Sequence, residues 1–356
     1  MKNERLAIIG ANGQDGFLST VLSLEQGARV LALSRKLDNR LRRLAEGDPR
    51  LTLYTGADYL RNLEDLRAIL TEFNPTHLFY FASDHGPAGT MRESTNSMAA
   101  TTWLNANVPE FLVKTAKNLN CGLTLPLSSR MYSGYLEGVE GLVEVDQETP
   151  PHPTDFYGEA KVKLLRISAQ AREGGIYVNS PILFNHDSIF KKKGYVGWVA
   201  ADYIAALFTS KPAEAPRNPS ALVDISDAHK VVRLMLKMRN GANGAEFLSS
   251  GIALPISSLI TEEARALGPL LGLETPKLKF LEGKAEGVLI ASTSPIAGNV
   301  ESQTGGHPWL GLMALSRLEQ KNKSDRNELP VRLLEALPET YWGNSPGMIH
   351  QLSPVD

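Results

Sequence analysis

Cysteine is nearly absent. Of 356 residues only Cys121 carries a thiol, so neither an internal disulfide nor a cysteine-based metal cluster can form, as expected in a reducing cytoplasm. Long apolar runs are missing as well. No stretch is long enough to span a membrane, and the opening MKNERLAIIG lacks the apolar stretch and small-residue cleavage site of a signal peptide. Charge of one sign is also lacking: 37 Lys and Arg against 39 Asp and Glu leave a net charge of -2, without the basic face that nucleic-acid binding needs. The seven histidines, at positions 77, 85, 152, 186, 229, 307 and 350, include no HExxH and no pair at metal-ligand spacing, so no metal is expected. Neither a GxSxG hydrolase elbow nor a GxxxxGK[ST] phosphate loop occurs.

What remains is an ordinary globular composition, 42% hydrophobic and 21% charged, on a chain long enough for one large α/β unit or for two domains sharing a cleft. Apolar strands are expected at Leu6 to Ile9, Arg29 to Ser34, Leu51 to Tyr54, His77 to Phe81 and Gly122 to Leu127. Helical spacing between them predicts helices after Gly16, over Asn62 to Phe73 and over Asn96 to Leu119. Alternating strands and helices imply a Rossmann-type α/β fold, a doubly wound parallel sheet with helices on both faces. Beyond about residue 185 short strands (Ala221 to Ile225, Lys277 to Leu281) sit among helices (Val196 to Phe208, Asp227 to Met238), which suggests a smaller α/β lobe over the carboxyl edge of the sheet. Residues 1–185 are thus read mainly as the nucleotide-binding domain and 186–356 mainly as the substrate lobe, with return segments to the first. Asp227 reads as a helix cap, Trp103 as packing surface and Gln320 to Asn327 as a solvated loop.

Between the first strand and the first helix lies Gly10-Ala11-Asn12-Gly13-Gln14-Asp15-Gly16. Three glycines spaced three apart let the backbone approach a pyrophosphate at a helix amino end. Gly10, Asn12, Gly13, Gln14, Asp15 and Gly16 are the resulting cofactor candidates. The second strand ends in Ser34-Arg35-Lys36, with no acidic residue to hold ribose hydroxyls; a hydroxyl and two cations suit a 2′-phosphate, which favours NADP over NAD. Arg40 and Arg43 either assist or form a solvated basic face. Asp58, after the third strand, either holds an adenine amino group or caps a helix.

Tyr157 and Lys161 stand four apart on a predicted helix and so share one face. An ammonium there would lower the pKa of the phenol, letting it accept a proton near neutrality. Ser128, at the end of the strand Gly122 to Leu127, could hold the same alcohol oxygen. The three suit proton removal from an alcohol as hydride leaves for a nicotinamide.

These residues resemble the extended short-chain dehydrogenase/reductase family, and within it the GDP-mannose 4,6-dehydratase branch. The resemblance runs from residue 5 to about 240 and rests on Gly13-Gln14-Asp15-Gly16, Asn74-Pro75-Thr76, Tyr157 to Lys161 and Ile182-Leu183-Phe184-Asn185-His186-Asp187-Ser188. It implies an enzyme acting on a nucleotide-diphosphate sugar, GDP-linked in that branch. Tyr157 and Lys161 would activate the sugar C4 hydroxyl, Ser128 would hold it and Asn185 would contact the diphosphate. It also implies a homodimer or homotetramer. One position departs. Where the branch carries an acidic residue to remove the C5 proton, two places after the hydroxyl residue, this chain has Arg130 in Leu127-Ser128-Ser129-Arg130. A guanidinium stays protonated and cannot take that proton. Either Glu137 or Glu140 substitutes, or the chemistry is C4 epimerisation or reduction, with Ser129 and Arg130 facing the substrate and Arg130 gripping a carboxylate or phosphate. His186 is expected to be a satisfied wall residue. A non-catalytic NADP-binding regulator is the rival from another class, but it has no need of Ser128, Tyr157 and Lys161 together.

Overall fold

The computed structural model describes residues 4–36, 38–56, 59–83, 95–209, 216–241, 243–274, 278, 280, 286–292 and 308–322. The first half alternates β1 (Arg5–Ile9), α1 (Gln14–Glu25), β2 (Arg29–Ser34), α2 (Asn39–Gly47), β3 (Leu51–Thr55), α3 (Leu63–Phe73) and β4 (His77–Tyr80). There follow α4 (Thr95–Thr102), α5 (Val108–Leu119), β5 (Gly122–Thr124), β6 (Leu127–Ser128), β7 (Leu142–Val145), α6 (Phe156–Glu173) and β8 (Val178–Leu183). The remainder holds β9 (Asn185–Asp187), α7 (Val196–Leu207), β10 (Leu222–Asp227), α8 (Ala228–Met238), β11 (Ala245–Leu248), β12 (Ala253–Pro255), α9 (Ile256–Leu270), β13 (Val288–Ala291) and α10 (Pro308–Asn322).

The main sheet runs β11-β8-β5-β4-β1-β2-β3, with β6 also on β8, and every pairing in it is parallel. The chain winds outward from β1 to β3, then crosses back to lay β4 on the other side of β1. That reversal opens a crevice beyond the carboxyl ends of β1 and β4, where doubly wound sheets take their ligands. The period-two pattern of β1 explains its central place: Ala7 and Ile9 pack into one buried layer with α3, α5 and α6. Leu6 and Ile8 pack into the opposite layer with α1, α2 and α8. A third cluster joins α7, α9 and α10 through Ala200, Ile204, Ile260, Leu310 and Met313. Beside it lies a small sheet in the order β12-β10-β9.

Four sequence expectations change. The helix expected from Asn96 to Leu119 is interrupted at Trp103–Asn107 by a π turn in which the Val108 N–H reaches back to Trp103 O. Pro109 lacks an N–H, so the regular ladder cannot continue there. The strand expected over Gly122 to Leu127 is split into β5 and β6. Gln320 to Asn322 are helical, belonging to α10, and the rest of that run lies outside the described residues. Of Lys277 to Leu281 only 278 and 280 are described, and neither is in a strand. Asp227 does cap α8, accepting from the His229 N–H at 2.9 Å, and the Trp103 indole donates to Leu60 O at 2.8 Å while its ring packs on the core.

Candidate active site

The glycine turn is anchored to the end of β2, where the N–H groups of Gly10 and Ala11 both donate to Leu33 O at 2.9 and 3.0 Å. Gly10 has φ +92, and a Cβ on it would lie 2.7 Å from the Ala82 nitrogen; a Cβ on Gly16 would lie 2.8 Å from Ala11 Cα. The fold itself therefore demands both glycines. Gly13 is different: its φ of -68 suits any residue, and a Cβ there would meet only Gly10 O at 3.4 Å. Its bare backbone leaves room at the amino end of α1, where helix N–H groups lack internal partners. Asn12 donates to Lys36 O at 2.6 Å, while its own buried Oδ1 has no partner among the described residues. Open backbone, helix N–H groups and an orphaned acceptor fit a dinucleotide.

At the end of β2, Ser34 is buried and donates to Lys36 O at 2.8 Å, so its hydroxyl is turned into its own loop. Arg35, Lys36 and Arg43 are exposed. Arg40 is committed elsewhere: it grips Asp38, donates to Asn12 O at 3.2 Å and lies 4.9 Å from the Phe17 ring centre. Asp58 lies outside the described residues. The Gln14 and Asp15 side chains turn to β9, leaving their backbone in the first turn of α1 beside the glycine turn: Gln14 Nε2 donates to His186 O and Asp15 Oδ1 meets His186 Nε2, both at 3.0 Å. A helix start beside a buried strand exposes its first side chains to that strand.

Tyr157 lies in the first turn of α6 and Lys161 one turn further, while Ser128 ends β6, so the expected trio is brought together. Asp155 caps the helix, accepting from the Gly158 N–H at 2.7 Å. Gly158 is required by packing, since a Cβ there would lie 2.6 Å from Arg130 O. Lys161 is 6% exposed and donates to Pro126 O at 3.0 Å, with its Nζ 5.5 Å from the centre of the Tyr157 ring. Burial pushes its ammonium down to about 7. Burial likewise pushes the half-buried Tyr157 phenol up to about 12, while the nearby Ser83 and Ser128 hydroxyls favour the phenolate; Tyr195 and Asp155 add to the rise. Burial thus opposes the charged form of both groups, so the phenolate that the sequence reading expects needs further support from the bound ligands.

The Arg130 side chain, 54% exposed, is ion-paired with Asp155, and its backbone N–H donates to Ser128 Oγ at 3.3 Å. The ion pair links Arg130 to the cap of α6. Ser129 opens a 3₁₀ segment, Ser129–Leu136, and Glu137 and Glu140 are exposed beyond its far end. At about 2 Å rise per residue that end lies on the order of 16 Å from Ser128. Asn185 is exposed on β9, paired in register with Ile225. Among the described residues no group of three metal-ligating side chains converges.

The model of the NAD dependent epimerase/dehydratase family matches residues 6–247. The chain belongs to that family. Its fold is shared with a dTDP-glucose 4,6-dehydratase from Bacillus anthracis in complex with NAD, at 12% identity over 90% of this chain and 98% of that one, TM-score 0.67. A UDP-glucuronic acid 4-epimerase from Bacillus cereus in complex with NAD is similar at 15% identity, 90% and 100% coverage and TM-score 0.66. A UDP-glucose 4-epimerase from Thermotoga maritima with UDP-glucose is similar at 16% identity, 90% and 99% coverage and TM-score 0.68.

As an epimerase/dehydratase of the extended short-chain dehydrogenase/reductase type, this chain is an enzyme. Two of its site residues escaped the sequence reading. Ser83, just past β4, and Tyr195, just before α7, both act on the Tyr157 phenol. For Ser83 the signal was present, since a residue following β4 must lie at the sheet's ligand edge; for Tyr195 nothing local marks it. Among the described residues, no helix of the epimerase/dehydratase is long and apolar enough to cross a membrane.

Proposed function

We propose that this enzyme oxidises the C4 hydroxyl of a nucleotide-diphosphate hexose and then restores hydride to C4, as a C4 epimerase. The supporting observation is the grouping of Ser128, Tyr157 and Lys161 beside the glycine turn, with a carboxylate that acts on the phenol, Asp155, tied to Arg130 and to the Gly158 N–H. Ser128 holds the C4 oxygen and Tyr157 Oη takes its proton. Tyr157 takes that proton as the phenolate, and the ammonium form of Lys161 stabilises the phenolate. Asn185, exposed on β9, meets the diphosphate. Gly10, Asn12, Gly13 and Gly16 hold the nicotinamide nucleotide, with exposed Arg35 and Lys36 favouring a 2′-phosphate, hence NADP. An oxidised nicotinamide, when bound, supplies the hydride acceptor and a positive charge that favours the phenolate. Arg130, in the place where the resembling dehydratases carry an acid, supports return of the hydride over elimination of water. Residues 1–185 mainly hold the cofactor and 186–356 mainly the sugar nucleotide, and the resemblance supports a GDP-linked substrate and a dimer or tetramer.

The test is product analysis after incubation with GDP-mannose and, separately, UDP-glucose. A C4 epimer formed with either one supports the reading. A 4-keto-6-deoxy sugar overturns it in favour of dehydration, and no C4 chemistry with Tyr157→Phe behaving as wild type overturns the assigned base. Calorimetric affinities for NADP and NAD, compared between wild type and Arg35→Ala, decide the cofactor: a loss confined to NADP is expected.

A further inference from the structure

The buried pair of His186 and Asp15 is not part of the reacting group. The two His186 ring nitrogens face two acceptors: Nε2 lies 3.0 Å from Asp15 Oδ1 and Nδ1 lies 2.7 Å from Phe184 O. A neutral imidazole has one N–H and would aim a lone pair at one of these oxygens; only the imidazolium donates to both. Asp15 cannot supply the missing hydrogen, because the neighbouring His186 and Lys191 overcome the effect of burial and hold its carboxyl down at about 2. The surrounding bonds join the same two segments. Gln14 donates to His186 O at 3.0 Å and accepts from Ser188 Oγ at 3.0 Å; within the second segment itself, Lys191 Nζ donates to His186 O at 2.9 Å. The Phe17 and Phe190 rings meet edge to face at 4.7 Å. The cofactor turn at the start of α1 is thereby fastened to the strand that carries Asn185.

We infer that His186 is a buried imidazolium and a positioning residue, whose proton holds the cofactor turn and the Asn185 strand in register with each other. The inference rests on the proposed cofactor reading for its functional half. The charged and titratable groups around the ring are Asp15 on α1 and, after β9, Lys191, itself paired with Asp187 at 2.7 Å. On β10, Ser226 stands opposite His186 in register, and the next residue, Asp227, is turned to His229 at 3.3 Å. Burial disfavours the imidazolium, as does Lys191; Asp15 and the Phe184 carbonyl outweigh both and raise its pKa above the ordinary value. The fastening therefore persists to higher pH than an exposed histidine would allow and weakens as pH rises through the His186 titration.

The test begins with ¹⁵N NMR of the imidazole in the ligand-free full chain, which needs no turnover. Both His186 nitrogens are expected to be protonated at neutral pH, with a midpoint above that of an exposed histidine and a lower midpoint in Asp15→Asn. A neutral tautomer at neutral pH overturns the inference. Calorimetry of nicotinamide nucleotide against pH should then show affinity falling about tenfold through the NMR midpoint, the scale of one charged hydrogen bond. His186→Gln should bind weakly with no such step. Affinity that ignores the NMR midpoint overturns the positioning role. If His186 titrates as described but no nicotinamide nucleotide binds at any pH, the cofactor reading fails and the positioning role fails with it, while the buried imidazolium stands.

Discussion

Gly13→Ala separates what the fold requires from what the ligand requires. The backbone at Gly13 is extended, with φ -68 and ψ 161, so alanine fits without strain, and its Cβ would meet only Gly10 O at 3.4 Å. Alanine is poorer than glycine at a helix amino cap by about 1 kcal/mol. Against that, replacing glycine at an unstrained position stabilises by about 0.4–1 kcal/mol through the unfolded chain. The two nearly cancel, so urea denaturation should place Gly13→Ala within about 1 kcal/mol of wild type. Nucleotide binding should respond differently. A methyl group forced against a pyrophosphate costs about 1–3 kcal/mol, as overpacking does, which weakens binding about fivefold to 150-fold at 1.4 kcal/mol per decade. Gly16→Ala is the control: its Cβ would be driven into backbone, 2.8 Å from Ala11 Cα, so stability itself should fall. Calorimetric titration of NADP and NAD into each variant reads the binding side. Unchanged affinity in Gly13→Ala would refute the placing of the pyrophosphate, and a large loss of stability would refute the steric reasoning.

Tyr157→Phe should lower kcat by about 10²–10⁴, the range for a lost general acid–base group, while leaving nucleotide affinity near wild type; steady-state kinetics with calorimetry checks both. Lys161 is neutral more readily when folded, its pKa depressed by burial to about 7. The unfolded chain then binds more protons between about pH 7 and 10, so this residue penalises the fold at low pH and the penalty fades as pH rises. The stability difference between wild type and Lys161→Met, measured by denaturation across that window, should shift in favour of wild type with increasing pH; a pH-independent difference contradicts it. Arg130→Ala removes a half-exposed ion pair, worth about 0–1 kcal/mol, so its thermal midpoint should barely move, whereas loss of a substrate grip would show as a raised KM that Arg130→Lys repairs. Unchanged KM in Arg130→Ala supports the helix-securing role.

The local elements were legible because local rules govern them. The unbroken apolar run Leu6 to Ile9 fits a strand covered on both sides, and the four-residue spacing of Tyr157 and Lys161 is enough to put them on one face. What escaped depends on residues far apart in the chain. The bonds of the Gln14 and Asp15 side chains to β9, some 170 residues away, have no signal in the glycine turn itself. Arg130 looks free until the cap of α6 supplies Asp155. The protonation of Tyr157 and Lys161 follows from burial by elements that no spacing rule places next to them, so the spacing brings the pair together but does not show how burial acts on their charges. Pro109 in the long helix did announce a break, and its effect was a π turn.

The most direct measurement is rapid mixing of the nucleotide-loaded enzyme with a sugar nucleotide deuterated at C4, followed by the absorbance of reduced nicotinamide. The account predicts that reduced nicotinamide appears in wild type, more slowly with the deuterated sugar, and is lost in Tyr157→Phe. Reduction of the same rate in Tyr157→Phe, or none in wild type with either GDP-mannose or UDP-glucose, would contradict it.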